Sequence, residues 1–199
     1  MKLFFLFFLP LFLYAGNNYS LRISSGKATL SDFSEIIVAN WKGHVKNLTV
    51  VSLDGGYKLK EHSDKFPVDI YAKMGLSYYD EDSMRDNNIA FRTYVKAYKN
   101  FDFFHNRIRF GFGEGISYTK NILYTEYYEA KQEKDNNSKF LNYLDVSLDI
   151  DIGKLFIYKP LYNTYIGWNL EHRSGIFGLI NNVRRGGSNY NTLSIEKTF

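Results

Sequence analysis

Between Lys139 and Ile152 the chain reads KFLNYLDVSLDIDI, with an aliphatic residue at every second position from Leu144 to Ile152. Tyr143, Asp145, Ser147, Asp149 and Asp151 fill the alternate positions. A period of two puts the two sets on opposite faces of a β-strand; a helix would scatter the aspartates around its whole circumference. The apolar face, about ten residues long, suffices for a tilted strand to cross a bilayer.

The alternation recurs. Val68, Ile70, Ala72, Met74, Leu76 and Tyr78 oppose Asp69, Tyr71, Lys73 and Ser77. Ile89, Phe91, Val95 and Ala97 oppose Arg92, Tyr94, Lys96 and Tyr98. Ile108, Phe110, Phe112, Ile116 and Tyr118 oppose Arg107, Arg109 and glycines. Ile166, Trp168 and Leu170 oppose Asn169, Glu171 and Arg173, and Leu193, Ile195 and Phe199 oppose Ser194 and Glu196. Two earlier strands are predicted around residues 35–42 and 48–58, with residues 19–25 either a further strand or a lead-in.

The predicted connections alternate in length. Residues 100–104 and 153–161 are short, whereas 119–138 and 175–188 are long, polar and rich in Gly, Asn and Lys. Outer-membrane barrels pair short periplasmic turns with long outer loops. With the C-terminus on the periplasmic side, the pattern predicts an all-β fold. It is a transmembrane antiparallel β-barrel of about eight strands, beginning near Glu35. A soluble barrel of lipocalin type shares this alternation with its faces reversed. The polar faces mix acidic Asp145, Asp149 and Asp151 with basic Arg92, Lys96, Arg107 and Arg109, and a narrow membrane-barrel lumen can pair such charges. In that lumen Asp145, Asp149 and Asp151 are expected to face chiefly Arg107 and Arg109.

Composition fits this picture. Aromatic residues make up 18% of the chain and recur near predicted strand ends, as in the aromatic girdles of membrane barrels. There is no cysteine, so disulfides cannot hold an exported fold together, and a closed barrel is one alternative. Lys2, an apolar run over 3–13 and the small pair Ala15-Gly16 predict a signal peptide over residues 1–15, leaving 16–199 as one domain. An N-terminal anchor is the alternative, but the run is short for a spanning helix. The net charge of +4 suits anionic lipid headgroups. No like-charge run or nucleic-acid motif is present, so nucleic acid is not an expected partner. Phe199, with Leu193 and Ile195 before it, looks like the C-terminal signal that outer-membrane proteins present to their insertion machinery; Lys197 breaks the pattern.

Polar residues interrupt the apolar stripes on three successive strands. His172 and Ser174 follow Leu170, Glu114 stands between Phe112 and Ile116, and Asn142 continues the apolar side above Leu144. A carboxylate facing lipid is costly and asks for a reason. A bulge at Gly113 or Gly115 turning Glu114 into the lumen is the structural alternative. Ser174 with His172, and Glu114 reaching towards that histidine over Asn142, matches the nucleophile–base–orienter pattern of acyl hydrolases. Asn142, or backbone amides around Gly175, could stabilise an oxyanion. No metal ligand set or cofactor motif is evident; a calcium-dependent deacylase barrel is a further option without a clear set of carboxylate ligands.

The segment Glu171-His172-Arg173-Ser174-Gly175 resembles the His-x-Ser motif on the penultimate strand of the PagL-type outer-membrane lipid A deacylases. The resemblance implies an eight-stranded barrel that removes an ester-linked acyl chain from lipopolysaccharide, with Ser174 as nucleophile and His172 as base. It also implies location in the cell outer membrane. Two departures stand out. The family has Asn directly after the serine, where this chain has Gly175. Its acid lies about a dozen residues further on, where this chain reads Arg184-Arg185-Gly186-Gly187, so Glu114 is expected to substitute. The expected function is therefore lipid A deacylation, with a non-catalytic structural or loop-binding barrel as the alternative.

Overall fold

The computed structural model describes residues 18–31, 35–36, 42–44 and 46–199. The expected leader and most of the segment 35–42 lie outside these. Eight strands form one closed antiparallel barrel, each paired with its neighbours in sequence order. They are β1 (Tyr19–Thr29), β2 (Thr49–Lys60), β3 (Asp69–Asp80), β4 (Asn88–Phe103), β5 (Asn106–Thr119), β6 (Phe140–Asp151), β7 (Thr164–Ser174) and β8 (Ser188–Thr198). Pairing of β1 with β8, from Ser20↔Thr198 to Thr29↔Asn189, closes the cylinder.

The first strand departs from expectation. The barrel begins at Tyr19, not near Glu35, and Glu35 and Ile36 are helical. The reason lies in residue pattern. Leu21 and Ile23 supply only a short apolar stripe, interrupted by Ser25 and Lys27, so β1 carries a weak amphipathic signal. The connection 119–138 also holds a helix, α1 (Tyr124–Glu133), and a short helix α2 (Ile152–Leu155) follows β6.

The barrel is polar within and apolar without. Met74, Leu148 and Ile195 are 60%, 52% and 49% exposed on the outer wall, while Arg22, Lys73 and Arg92 are at most 2% exposed inside. A soluble barrel reverses this arrangement, so lipid is the solvent of the outer wall. The face of β6 is the expected one: Asp145, Asp149 and Asp151 all point inward.

The lumen is filled by charge. Arg22, Lys73, Arg92, Lys96 and Arg109 meet Asp54, Asp145, Asp149, Glu171 and Glu196, five cations against five carboxylates in a shared network. Asp54 accepts from Arg92 at 2.6 and 2.8 Å and from Arg22 at 3.2 Å. Buried ions are tolerated only when paired and hydrogen-bonded. Of the pairings expected from the sequence, only Asp149–Arg109 forms, at 3.0 Å. Asp145 pairs instead with Arg22 and Lys96. Asp151 accepts the backbone N–H groups of Lys154 and Asn163, each at 3.0 Å, and so caps α2. Arg107 turns to Asp102 at the barrel end, 2.7 Å away. The omitted cation was Arg22, which sits on the strand whose signal was weak.

At the end carrying the long connections, α1 sits over the lumen. Leu123 is fully buried against Ala28, Leu48, Val50, Tyr79, Ala90 and Tyr190. Its side chain cannot cap the helix, so Glu81 does so from another connection, accepting the Tyr124 N–H at 2.6 Å. Glu126 in the first helical turn accepts from Arg173 at 2.7 Å and from Ser188 at 2.9 Å. Among the described residues, charged side chains thus fill the lumen and α1 covers its long-connection end.

Candidate functional site

Pairing register builds the site. Ser174 lies directly across from Asn142, and His172 across from Leu144 on one side and Asn189 on the other. Leu144 in turn lies across from Glu114, and Asn142 across from Ile116. Two rows therefore run around the outer wall: Glu114–Leu144–His172–Asn189, and above it Ile116–Asn142–Ser174. His172 and Ser174 share the outward face, about 6.6 Å apart along the strand.

His172 and Asn189 make the central contact. Nδ1 of the ring lies 2.6 Å from Oδ1 of Asn189. The amide of Asn189 is itself oriented, because its Nδ2 donates to the Ser31 carbonyl at 3.1 Å. With the amide NH2 turned to Ser31, Oδ1 is the atom that faces the imidazole. An amide oxygen can only accept, so Nδ1 carries a proton, which in the neutral ring leaves the acceptor lone pair on Nε2. That is the tautomer a general base needs.

Glu114 is exposed on the outer wall and does not bend inward. Leu144 stands between it and His172, where the alternation alone predicts Asn142, and Asn189 holds the position next to the ring. The apolar stripe of the last strand begins only at Leu193, so it gives no signal at Asn189. Carrying the alternation back makes Asn191 and Asn189 outward residues on the same face.

The remaining parts are close by. Asn142 is 6% exposed, and among the described residues neither its amide nor the Ser174 hydroxyl has a hydrogen-bond partner. The Ser174–His172 hydrogen bond is thus not formed, and such bonds commonly tighten only with substrate bound. Gly175 is buried; its carbonyl accepts from Gly178 and Ile180, and a Cβ there would lie 2.1 Å from the Val183 carbonyl oxygen. Gly187 donates its N–H to Glu129 at 2.9 Å, and a Cβ there would come within 3.6 Å of Cε1 of His172.

The wall beneath His172 is covered. Leu170 is fully buried and Val146 is 4% exposed, against 69% for Leu193 on the adjoining strand. Ile36 packs on both, with Leu144 and Trp168 beside them. The chain returns from this excursion through a pinned stem: Leu30 N–H donates to the Lys42 carbonyl at 3.0 Å, Thr29 Oγ1 donates to the same carbonyl at 2.7 Å, and Lys42 N–H donates to Ser31 Oγ at 2.8 Å. The stem residue Ser31 is the one that orients Asn189. Among the described residues no metal-ligating group of three falls at this site.

No family model matches the chain, and no curated protein matches it. Solved structures do. The outer membrane enzyme PagL superposes with a TM-score of 0.61 at 10% identity, covering 90% of this chain and 99% of its own. Neisserial surface protein A (NspA) superposes with a TM-score of 0.50 at 10% identity, covering 92% of this chain and 98% of its own. The fold is therefore the closed eight-stranded barrel of these two proteins. At this identity the likeness concerns the fold alone.

Proposed function

We propose that the protein is an acyl-ester hydrolase of the cell outer membrane that acts on an outer-leaflet lipid, with the lipid A of lipopolysaccharide as substrate. The observation that carries this reading is the Ser31–Asn189–His172 hydrogen-bond chain, which presents an imidazole of fixed tautomer beside Ser174 on a lipid-facing wall. A purely structural barrel has no use for such a relay where Leu or Phe would be cheaper. PagL is described as an enzyme and NspA as a surface protein, so likeness alone favours neither reading.

In this mechanism Ser174 Oγ attacks the ester carbonyl while Nε2 of His172 takes its proton. Asn189 stabilises the orientation of the resulting imidazolium. The Asn142 amide, with the Gly175 backbone N–H, supplies donors to the oxyanion. The imidazolium then protonates the departing alkoxide, and water activated by the same ring releases the acyl group from Ser174. Lipid approaches sideways through the bilayer, so neither a deep cavity nor a cofactor is needed. The long connections face the cell exterior, and Phe199 is the contact for the barrel-insertion machinery.

A second reading rests on the connection 175–187, where Phe177 is 93% and Leu179 82% exposed, as suits loop-mediated binding without catalysis. A fluorophosphonate probe separates the two. Folded protein in lipopolysaccharide-containing vesicles should label at Ser174, and labelling should vanish in Ser174→Ala. An unlabelled, folded wild-type barrel supports the binding reading.

A further inference from the structure

At the opposite end of the barrel, the turn joining β2 to β3 gathers a different set of groups. Glu61, His62 and Asp69 each bring one ligand-type atom to within 4.8 Å of the others. This arrangement is built rather than accidental. Asp69 is 7% exposed, and its Oδ1 accepts the His62 backbone N–H at 2.9 Å while lying 2.9 Å from the ring Nδ1. One carboxylate thus fixes both the backbone and the imidazole of His62. The turn is closed by paired backbone hydrogen bonds between Ser63 and Phe66, at 2.7 and 3.0 Å.

A second observation points to a ligand. Glu61, His62 and Asp69 line a cavity of about 130 Å³ at the mouth of the lumen, and Asn100 lines it too. Asn100 donates its Nδ2 to the other oxygen of Asp69 at 2.7 Å, yet its own Oδ1 is buried with no hydrogen-bond partner. A buried, unpaired amide oxygen costs stability unless something occupies it.

The donor set names the occupant. One imidazole nitrogen, two carboxylates and an amide oxygen suit a borderline divalent ion; calcium asks for six or more oxygens, and imidazole is foreign to it. The cations in the same lining are already engaged. Arg109 is held by Asp149 and Glu196, and Arg107 by Asp102. Lys58 reaches Glu61 only at 3.6 Å, on a carboxylate that is 71% exposed and free to turn towards the histidine. We propose that Glu61, His62 and Asp69 bind one divalent transition-metal ion, of the Zn²⁺ or Cu²⁺ kind, at the turn-side mouth of the barrel, with Asn100 supplying a fourth oxygen directly or through bound water. The ion would tie the β2–β3 turn to β4 and has no part in ester chemistry on the outer wall.

The test uses the full folded barrel in detergent and Cu²⁺ as probe. Electron paramagnetic resonance should show one bound Cu²⁺ per chain with coupling to a single imidazole nitrogen, and Zn²⁺ in large excess should compete with it. His62→Ala should abolish that signal. Glu61→Gln, on an exposed side chain, should weaken binding by about tenfold or more, the scale of losing one partner in a metal site. Heat-modifiable gel migration verifies that both variants are folded. A nitrogen-coupled signal that survives His62→Ala would assign the copper to another histidine and overturn the proposal. So would the lack of saturable Cu²⁺ or Zn²⁺ binding to the wild-type barrel.

Discussion

Asn189 Oδ1 accepts from His172 Nδ1 at 2.6 Å, across the β7–β8 pair, on the face of the barrel that meets lipid. An amide here fixes a tautomer as an aspartate would, but it offers no negative charge to the imidazolium. Asn189→Leu removes the acceptor at nearly equal volume and should lower ester hydrolysis by about 100-fold, less than loss of serine or histidine, because the base itself remains. Asn189→Asp keeps an acceptor but loses the donor to Ser31, so its rate should fall between wild type and Asn189→Leu. Initial rates on a synthetic acyl ester, with folding verified by gel migration, decide this. Equal rates in all three proteins would remove Asn189 from the mechanism.

The loop excursion reaches the same site. Ile36 covers Leu170 and Val146, and a carboxylate in its place cannot stay against that wall. Because the chain has no cysteine, Leu170→Cys gives a single label site. It should react slowly with a membrane-permeant maleimide, and several-fold faster when combined with Ile36→Asp. Equal labelling in both backgrounds would mean that Ile36 does not shield the wall.

Asp54 holds two guanidinium groups in the lumen, those of Arg22 and Arg92. Asp54→Ala leaves both without that partner and should destabilise the barrel by about 3–5 kcal/mol, the cost of breaking a buried ion pair. The readout is the urea midpoint for loss of the heat-modifiable band. Replacing exposed Leu148 by Ala should move that midpoint far less. The wild-type barrel should also show no steady conductance in planar bilayers.

Glu81 gives the loop end a pH dependence. Its burial, reinforced by the charge of Glu126, pushes the carboxyl up to about 7 from an ordinary 4.5. A raised carboxyl value means that the folded state holds the proton more tightly than the unfolded chain. The stabilisation is therefore fully present below about 4.5 and is lost as pH rises through about 7. Thermal midpoints should fall across that window, and Glu81→Gln, which cannot ionise, should flatten the slope there. Identical slopes would show that Glu81 does not titrate in this range.

The barrel was legible because six of its strands keep one apolar face through the bilayer, as in Leu144–Ile152, and a period of two survives any detail of packing. β1 was not, since Ser25 and Lys27 break its stripe and Arg22 faces inward among partners distant in sequence. The same limit governed the ion pairs. Alternation fixes which face Asp145 occupies, but the barrel's stagger decides whether Arg22, Lys96 or Arg109 stands opposite. At the candidate site, His172, Ser174, Asn142 and Glu114 were visible as polar breaks in apolar stripes. Their order around the wall was not, because a shift of two residues in pairing exchanges Leu144 for Asn142 beside His172.

Mass spectrometry of lipid A tests the central claim most directly. Extracts should be compared from Gram-negative cells making no protein, the wild-type barrel or Ser174→Ala, with both proteins verified as folded in the outer membrane. The account predicts lipid A lighter by one ester-linked acyl chain in the wild-type extract alone. Lipid A of unchanged mass in cells that carry the folded wild-type barrel would contradict it, and so would equal loss of the acyl chain with Ser174→Ala.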